Sequence, residues 1–449
     1  MTEARLPKPL VTIAAVLLVV ATGYYAFRAI KQTQKYDRDT TYHRDFDHFY
    51  QAAVAAKAGD DPYESFRKGY IYPPMLAAAF QPVAGLERNA AYLIWFGVNA
   101  TLMAAAFVIA ARALLRRFGV QARAPAVLCV VAGGLVPAFD QMRWQLEQGQ
   151  TDGLLLLAFA LGLHWLDRRP LLAGLVTGLA ANVKYLSLIV LPFAIVRKRI
   201  RLGIGVIAGA VAGLLLPAVV FGWERNSEFV KTSLGRLVHV VDAGPDLENT
   251  GGVNIHSLTW ELNISMPAFA AKRVDQLGLP DIAVPLIAVG LAGMLVLIAW
   301  RMYAARGFRF WLGERNTETR DRLGTLEWLG LIACAMAMSP QTTVRHMVLM
   351  TLIYQCAMVL AIVRTGPGRA VPLVGVVVAF LGMTLPPGGG DTWSSEVALP
   401  VWRSASGAMW CALVCFACVL WSGLGWVREA QNTSESAASS SEPVNATPM

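Results

Sequence analysis

PLVTIAAVLLVVATGYYAF, residues 9–27, carries no charge and no polar side chain beyond threonine and tyrosine. As a helix rising 1.5 Å per residue it reaches roughly 28 Å, close to the thickness of a bilayer's hydrocarbon core. A short basic start, Arg5 and Lys8, precedes it, and no small-residue cleavage site leads on to a soluble body. It therefore reads as a retained membrane helix and not as a cleaved signal peptide.

Runs of the same kind recur along the chain. With the first they make about twelve spans, near 9–27, 90–111, 124–140, 151–167, 171–183, 185–197, 202–222, 281–301, 325–341, 346–363, 371–386 and 405–426. The pair at 171–197 is short enough to be one bent element. The whole chain of 449 residues is 55% hydrophobic and 15% charged, against about 25% charged in a soluble domain. The reading is an all-α integral membrane protein, a polytopic helical bundle, with no soluble catalytic domain large enough to act alone.

The net charge of +9 does not call for nucleic acid, because the basic residues cluster beside the ends of apolar segments. Alternation places one set of connections on a common side: Arg112, Arg116, Arg117 and Arg123; Arg168 and Arg169; Arg197, Lys198, Arg199 and Arg201; six arginines in 301–324; Arg364 and Arg369; Arg428. Basic connections face the cytoplasm, so both termini are expected inside a plasma (inner) membrane. Arg28, Lys31 and Lys35 are the misfit, falling outside directly after the first span.

Residues 1–428 form the expected membrane domain. Two long loops lie outside, 28–89 and 223–280. Within the first, FDHFYQAAVAAKA (46–58) has helical composition, Gly59 ends it, and Asp60-Asp61-Pro62 is a turn. After Tyr72-Pro73-Pro74, residues 75–86 are apolar but too short to span, and are expected at the interface or re-entering. The second loop has turn signals at Asp242-Ala243-Gly244-Pro245 and Gly251-Gly252. The tail, 429–449, is rich in Ser, Ala, Glu and Pro and is expected to be disordered in the cytoplasm. No internal repeat and no Gly-rich phosphate loop is visible. The six cysteines lie in apolar segments without metal-ligand spacing and read as packing residues. No metal site and no cofactor is expected.

An ionisable residue at membrane depth is a functional hypothesis by default. Five of the six histidines, His43, His48, His239, His256 and His346, fall on the outer side; His164 is near the inner face. Gln148, Gln150, Lys184, Gln341 and Arg345 also sit at outer helix ends. Any chemistry therefore faces outward. Asp45 could be a general base or the cap of the following helix; Asp47, two residues on, faces elsewhere. Arg345 and His346 could bind a lipid phosphate, or Arg345 could simply snorkel. Lys184 carries the same pair of readings. His256, in Asn254-Ile255-His256-Ser257, reads as a loop residue. Tyr24, Tyr25, Trp95, Trp144 and Trp223 read as an aromatic belt.

Together these pieces resemble glycosyltransferase family 87, within the multi-spanning, lipid-phosphate-sugar-dependent superfamily GT-C. The most specific stretch is Asp45-Phe46-Asp47-His48-Phe49-Tyr50-Gln51-Ala52-Ala53, then Gly59, Asp61-Pro62-Tyr63 and Tyr72-Pro73-Pro74. Later pieces follow in order: Gly149-Gln150-Thr151-Asp152 before a leucine run, Ala173-Gly174 with Lys184, Asn254 to Ser257, and Ser339-Pro340 with His346. The chain departs from the pattern at Asp152, where the family often has Asn, at His256, often Gln, and at Arg345-His346, often two histidines.

The resemblance implies a GT-C bundle with outer-face interfacial helices. Asp45 is then the catalytic base, with Asp47 the fallback. Lys184, Arg345, His346, Gln150, His256 and Asn254 hold the donor phosphate or substrate. The implied partners are a polyprenyl-phosphate-linked sugar, with mannose the sugar expected, a lipid or glycan acceptor, and membrane lipids. The alternatives are a transporter or lipid flippase without chemistry, and an oligosaccharide ligase or polymerase using a diphosphate-linked donor.

Overall fold

The computed structural model describes residues 6–38, 44–65, 70–242, 257–310, 317–384 and 399–440. All twelve apolar segments are helical, and among the described residues no strand forms. The first half runs α1 (Lys8–Arg38), α2 (Asp45–Ala58), α3 (Pro74–Ala79), α4 (Arg88–Arg117), α5 (Ala124–Leu135), α6 (Phe139–Gln148), α7 (Asp152–Trp165), α8 (Pro170–Ala180) and α9 (Val190–Val196). It continues through α10 (Ile200–Leu215), α11 (Ala218–Phe221), α12 (Trp223–Asp242) and α13 (Met266–Leu277). The last part is α14 (Ala283–Ala305), α15 (Thr317–Met338), α16 (Thr351–Val363), α17 (Ala370–Thr384), α18 (Leu399–Ser404) and α19 (Gly407–Ser440). Among the described residues, seven helical stretches are long and apolar enough to cross a membrane. They are Lys8–Lys35, Arg88–Arg117, Ala124–Gln148, Ile200–Phe221, Ala283–Ala305, Val344–Val363 and Gly407–Thr433. Asp152–Trp165, Pro170–Ala180, Tyr185–Val196 and Ala370–Thr384 are apolar but shorter.

Exposure fits a lipid solvent. Leu286 and Val289 on α14 are 67% and 69% exposed, which water would tolerate poorly over a contiguous face. The 344–363 stretch is the most enclosed of the long spans, so the bundle packs around it. The segment at 171–197 is two elements and not one bent helix. Between α8 and a 3₁₀ turn at Tyr185–Ile189, Lys184 takes an extended conformation (φ −147°, ψ 129°).

Small residues set the tightest helix contact. A Cβ added to Gly174 or Gly178 on α8 would lie 2.1 Å from the carbonyl oxygen of Leu202 or Val206 on α10. One added to Gly205 or Gly209 would lie 2.2 Å from the carbonyl oxygen of Leu171 or Leu175. With no hydrophobic force between helices in lipid, such backbone-to-backbone packing is what holds them.

The misfit charge after the first span is engaged. Arg28 Nε lies 2.6 Å from the buried Glu147 carboxylate on α6, and Tyr25 donates its hydroxyl to Phe139 O (3.0 Å). At the far ends of α4 and α7, Asp167 joins Arg117 and Arg199, each at 2.7 Å.

The loop predictions hold at 46–58: Gly59 closes α2 in the left-handed region (φ 98°), and Asp61 Oδ1 accepts the Tyr63 N–H in the turn (2.8 Å). The 75–86 stretch folds as α3 and a 3₁₀ turn, Gln81–Val83. One expectation is corrected. Residues 429–440 were read as disordered tail, but α19 continues through them to Ser440. Their Ala and Glu content favours helix, and Glu429 pairs with Arg364 (2.8 Å). Residues 441–449, His43, Asn254, His256 and the turn signals at 243–245 and 251–252 lie outside the described residues.

Candidate active site

The entry to α2 is fixed before the site begins. The buried Arg44 guanidinium lies 3.9 Å from the Tyr92 ring centre and donates to Gln32 O on α1 (2.5 Å). Asp47 does the local structural work. Its Oδ2 accepts the Arg44 backbone N–H (2.7 Å), as an acidic residue at the third helical position does. Arg88, the first residue of α4, grips it at two points: Nε to Oδ1 at 2.8 Å and Nη2 to Oδ2 at 2.7 Å. The Asp47 side chain is fully enclosed.

Asp45 is different. It is the first residue of α2 and leaves the cap to Asp47. Its side chain is 30% exposed. Gln150 donates Nε2 to Asp45 Oδ2 (2.5 Å), and Arg345 Nη1 stands 3.6 Å from the same oxygen. That separation is an ion pair without a hydrogen bond.

Gln150 is aimed by its surroundings. Gly149 ends α6 in the left-handed region (φ 63°), and a Cβ there would lie 2.7 Å from that of Phe46. Trp95 Nε1 donates to Gly149 O and Asn99 Nδ2 to Gln150 O, both at 2.7 Å. Beside them a second acid–base set forms. Buried Asp152, opening α7, is ion-paired with Lys184 and accepts Gln145 Nε2 (2.6 Å). Gln145 Nε2 also reaches Arg345 O (3.0 Å).

Arg345 and His346 sit on a 3₁₀ turn, Val344–Met350, leading into α16. The Thr343 N–H donates to His346 Nδ1 (3.1 Å). An accepting Nδ1 carries no proton, so the neutral ring has its N–H at Nε2 and can donate from there. The Arg345 guanidinium lies 5.8 Å from the Trp144 ring centre.

The structure thus gathers Asp45, Gln150, Lys184, Arg345 and His346, and sets Asp47 aside into packing. Sequence reasoning gave no site role to Gln145, Asp152, Trp144 or Tyr72. Asp152 and Tyr72 were visible inside quoted motifs. Tyr72 faces both site carboxylates: burial, and then the negative charges of Asp45 and Asp152, push its hydroxyl pKa up. Trp144 was read as a belt residue, and a glutamine inside a helix carries no signal of its own. Among the described residues no three His, Cys, Asp or Glu side chains come together as a metal cluster.

Fold and site together define a polytopic helical membrane protein with a polar cluster around Asp45 and Asp152 where several helices end. The profile described as Glycosyltransferase family 87 matches residues 70–314, more than half of the chain, and the chain belongs to that family. It is a glycosyltransferase of the membrane, which sets aside the transporter without chemistry. The matched span includes Tyr72, Gln150, Asp152 and Lys184; Asp45, Arg345 and His346 lie outside it. No curated protein and no solved structure matches the chain.

Proposed function

We propose that the protein transfers a hexose, mannose in the first instance, from a polyprenyl-phosphate donor to a hydroxyl of a lipid-linked or cell-envelope glycan. The observation that carries this reading is the contrast between the two acids of α2. Asp47 is enclosed and doubly held by Arg88, while Asp45 is accessible and lies beside a loosely paired arginine.

Asp45 accepts the proton of the acceptor hydroxyl as its oxygen attacks the anomeric carbon. The bond to the donor phosphate breaks, and a lipid monophosphate leaves. One displacement inverts the anomeric configuration. Arg345 and the Nε2–H of His346 meet the negative charge developing on the phosphate. Fixed donors at a low-dielectric boundary stabilise such charge strongly. Lys184 is ion-paired with Asp152, so that neutral pair offers the phosphate an oriented ammonium and no net charge.

A long hydrocarbon donor also has a plausible seat. An apolar crevice of about 380 Å³ lies between α9, α14, α15 and α19. Phe193, Met302, Leu331 and Phe416 line it, as does Met338, the last residue of α15, seven residues before Arg345 in the chain. Burying a chain contributes about 0.8 kcal/mol per methylene. The proposed site faces outward from the plasma membrane, with both termini in the cytoplasm; the basic connections support this sidedness.

The test uses purified protein in lipid with radiolabelled polyprenyl-phosphate mannose and a glycolipid extract. Asp45→Asn should lower transfer by about 10²–10⁴-fold, the range for a general base, with the fold intact. Wild-type-like transfer by Asp45→Asn would remove Asp45 from the mechanism. Failure of the wild type across a panel of lipid-phosphate sugars would overturn the donor class.

A further inference from the structure

The turn that carries Arg345 and His346 is held from outside as well as by its own hydrogen bonds. Segment 261–265, at the entry to α13, grips it from the side. Ile264 N–H donates to Thr342 O (2.8 Å), Asn263 and Thr343 form an antiparallel bridge, and Asn263 Nδ2 donates to Pro340 O (2.6 Å). Thr343 in turn donates its N–H to His346 Nδ1. A continuous chain of contacts therefore runs from segment 261–265 to the imidazole.

That segment has its own anchor. Asn263 is buried, and Ser265 donates both its N–H (3.2 Å) and its hydroxyl (3.0 Å) to Asn263 Oδ1. The Lys272 ammonium, on α13 and 5% exposed, lies in a cup of three backbone carbonyls: Asn263 O at 2.7 Å, Arg403 O at 3.1 Å and Glu261 O at 3.4 Å. An ammonium has three N–H groups, one for each carbonyl. Arg403 belongs to α18, so the cup joins α13, segment 261–263 and the foot of the last span. Arg403 also pairs with the Glu261 carboxylate (3.0 Å).

We propose that Lys272 is a positioning residue for the glycosyl transfer: its three-way clamp fixes segment 261–265, and through Asn263 and Thr343 it holds Arg345 and His346 where the donor phosphate binds. The inference rests on the donor-phosphate role given above to those two residues. Lys272 touches neither substrate nor reacting atoms and acts through the turn. Burial pushes its pKa down to about 8, Arg273 and Arg403 act the same way, and the Glu261 carboxylate opposes them. The group is still mainly charged at neutral pH, and all three N–H groups are in place.

The experiment has two independent readouts on the full chain in lipid. The first is hydrogen exchange at the amides of Ile264 and Thr343 at pH 7. Lys272→Met and Asn263→Asp should each speed exchange there, while Lys272→Arg, which keeps the charge and several donors, should restore most of the protection. The second is steady-state transfer. Lys272→Met should raise the KM for the lipid-phosphate donor by about tenfold or more, since misplacing binding groups by about 1 Å can cost 10²-fold. The KM for the acceptor should stay near its wild-type value. Unchanged exchange at both amides in Lys272→Met and Asn263→Asp would overturn the clamp, whatever the enzyme transfers. A wild type that transfers nothing would count against the proposed function, and the exchange data would still decide the clamp. Equal rises in both KM values would reduce Lys272 to a structural residue.

Discussion

Asp45 and Asp47 share one helix turn and differ in almost everything that matters for chemistry. Asp47 accepts a backbone N–H and meets Arg88 at two points. Removing one partner of an enclosed pair costs about 3–5 kcal/mol. Asp47→Asn should therefore lower thermal stability, with a cost near the lower end because Arg88 is 27% exposed. The folded fraction should retain transfer. A variant with wild-type melting behaviour but no transfer would make Asp47 the base instead. At Arg345 the expectation is reversed. Arg345→Ala should leave the melting temperature within a few degrees and lower transfer by about 10²–10³-fold, the loss seen when one charge-stabilising donor is removed. Of these roles the sequence showed the candidates but not the assignment. Both aspartates occupy the start of one predicted helix, and which one caps depends on where α2 begins and on Arg88, 41 residues away.

Among the elements, α8 and α10 show why short apolar segments can serve in a bundle. Gly174 and Gly205 meet at backbone distance, Gly178 abuts the Val206 backbone and Gly209 the Leu175 backbone, so these helices are held by contact along their length. Asn182 donates to Ala210 O (3.1 Å) at one end of the pair. Gly209→Leu forces a side chain against the Leu175 carbonyl. Overpacking of this kind costs about 1–3 kcal/mol or more. The expected result is a lower melting temperature in detergent, whereas Gly290→Leu on α14, where a Cβ would meet nothing within 4 Å, should be silent. Equal effects at the two positions would remove the packing argument. The element boundaries themselves were largely legible, because hydropathy, the Gly59 stop and the Asp61 turn are local signals. The extension of α19 through 429–440 was misread from composition alone.

For the whole molecule, the sidedness inferred from the basic connections is open to a direct check. Single cysteines replacing the exposed Gln34 and Arg309 should report opposite faces. A membrane-impermeant maleimide applied to intact cells should label Gln34→Cys and not Arg309→Cys, against the parent chain as background. The reverse pattern would invert the topology and place Asp45 inside. Arg28 remains the misfit to the outward assignment. Its charge is met by Glu147 at 2.6 Å, so it sits at a protein contact, while the labelling decides which side the Lys/Arg-rich connections face.

The sequence by itself determined the class of solvent, the approximate limits of the apolar helices, and the family motifs that include Asp45, Gln150, Lys184 and His346. These follow from runs and spacings along the chain, and lipid imposes them segment by segment. Of the twelve expected spans, however, only seven of the described stretches are long and apolar enough to cross a membrane. Only the tertiary structure decided which acid is enclosed and which accessible, that Lys184 belongs to Asp152, and that Arg345 stands 3.6 Å from Asp45. It also placed segment 261–265 and Lys272 behind the turn that bears Arg345 and His346. Those partners are separated by tens to hundreds of residues, and no local pattern records them. They meet because close packing of the helices leaves each polar side chain few places to find a partner away from water.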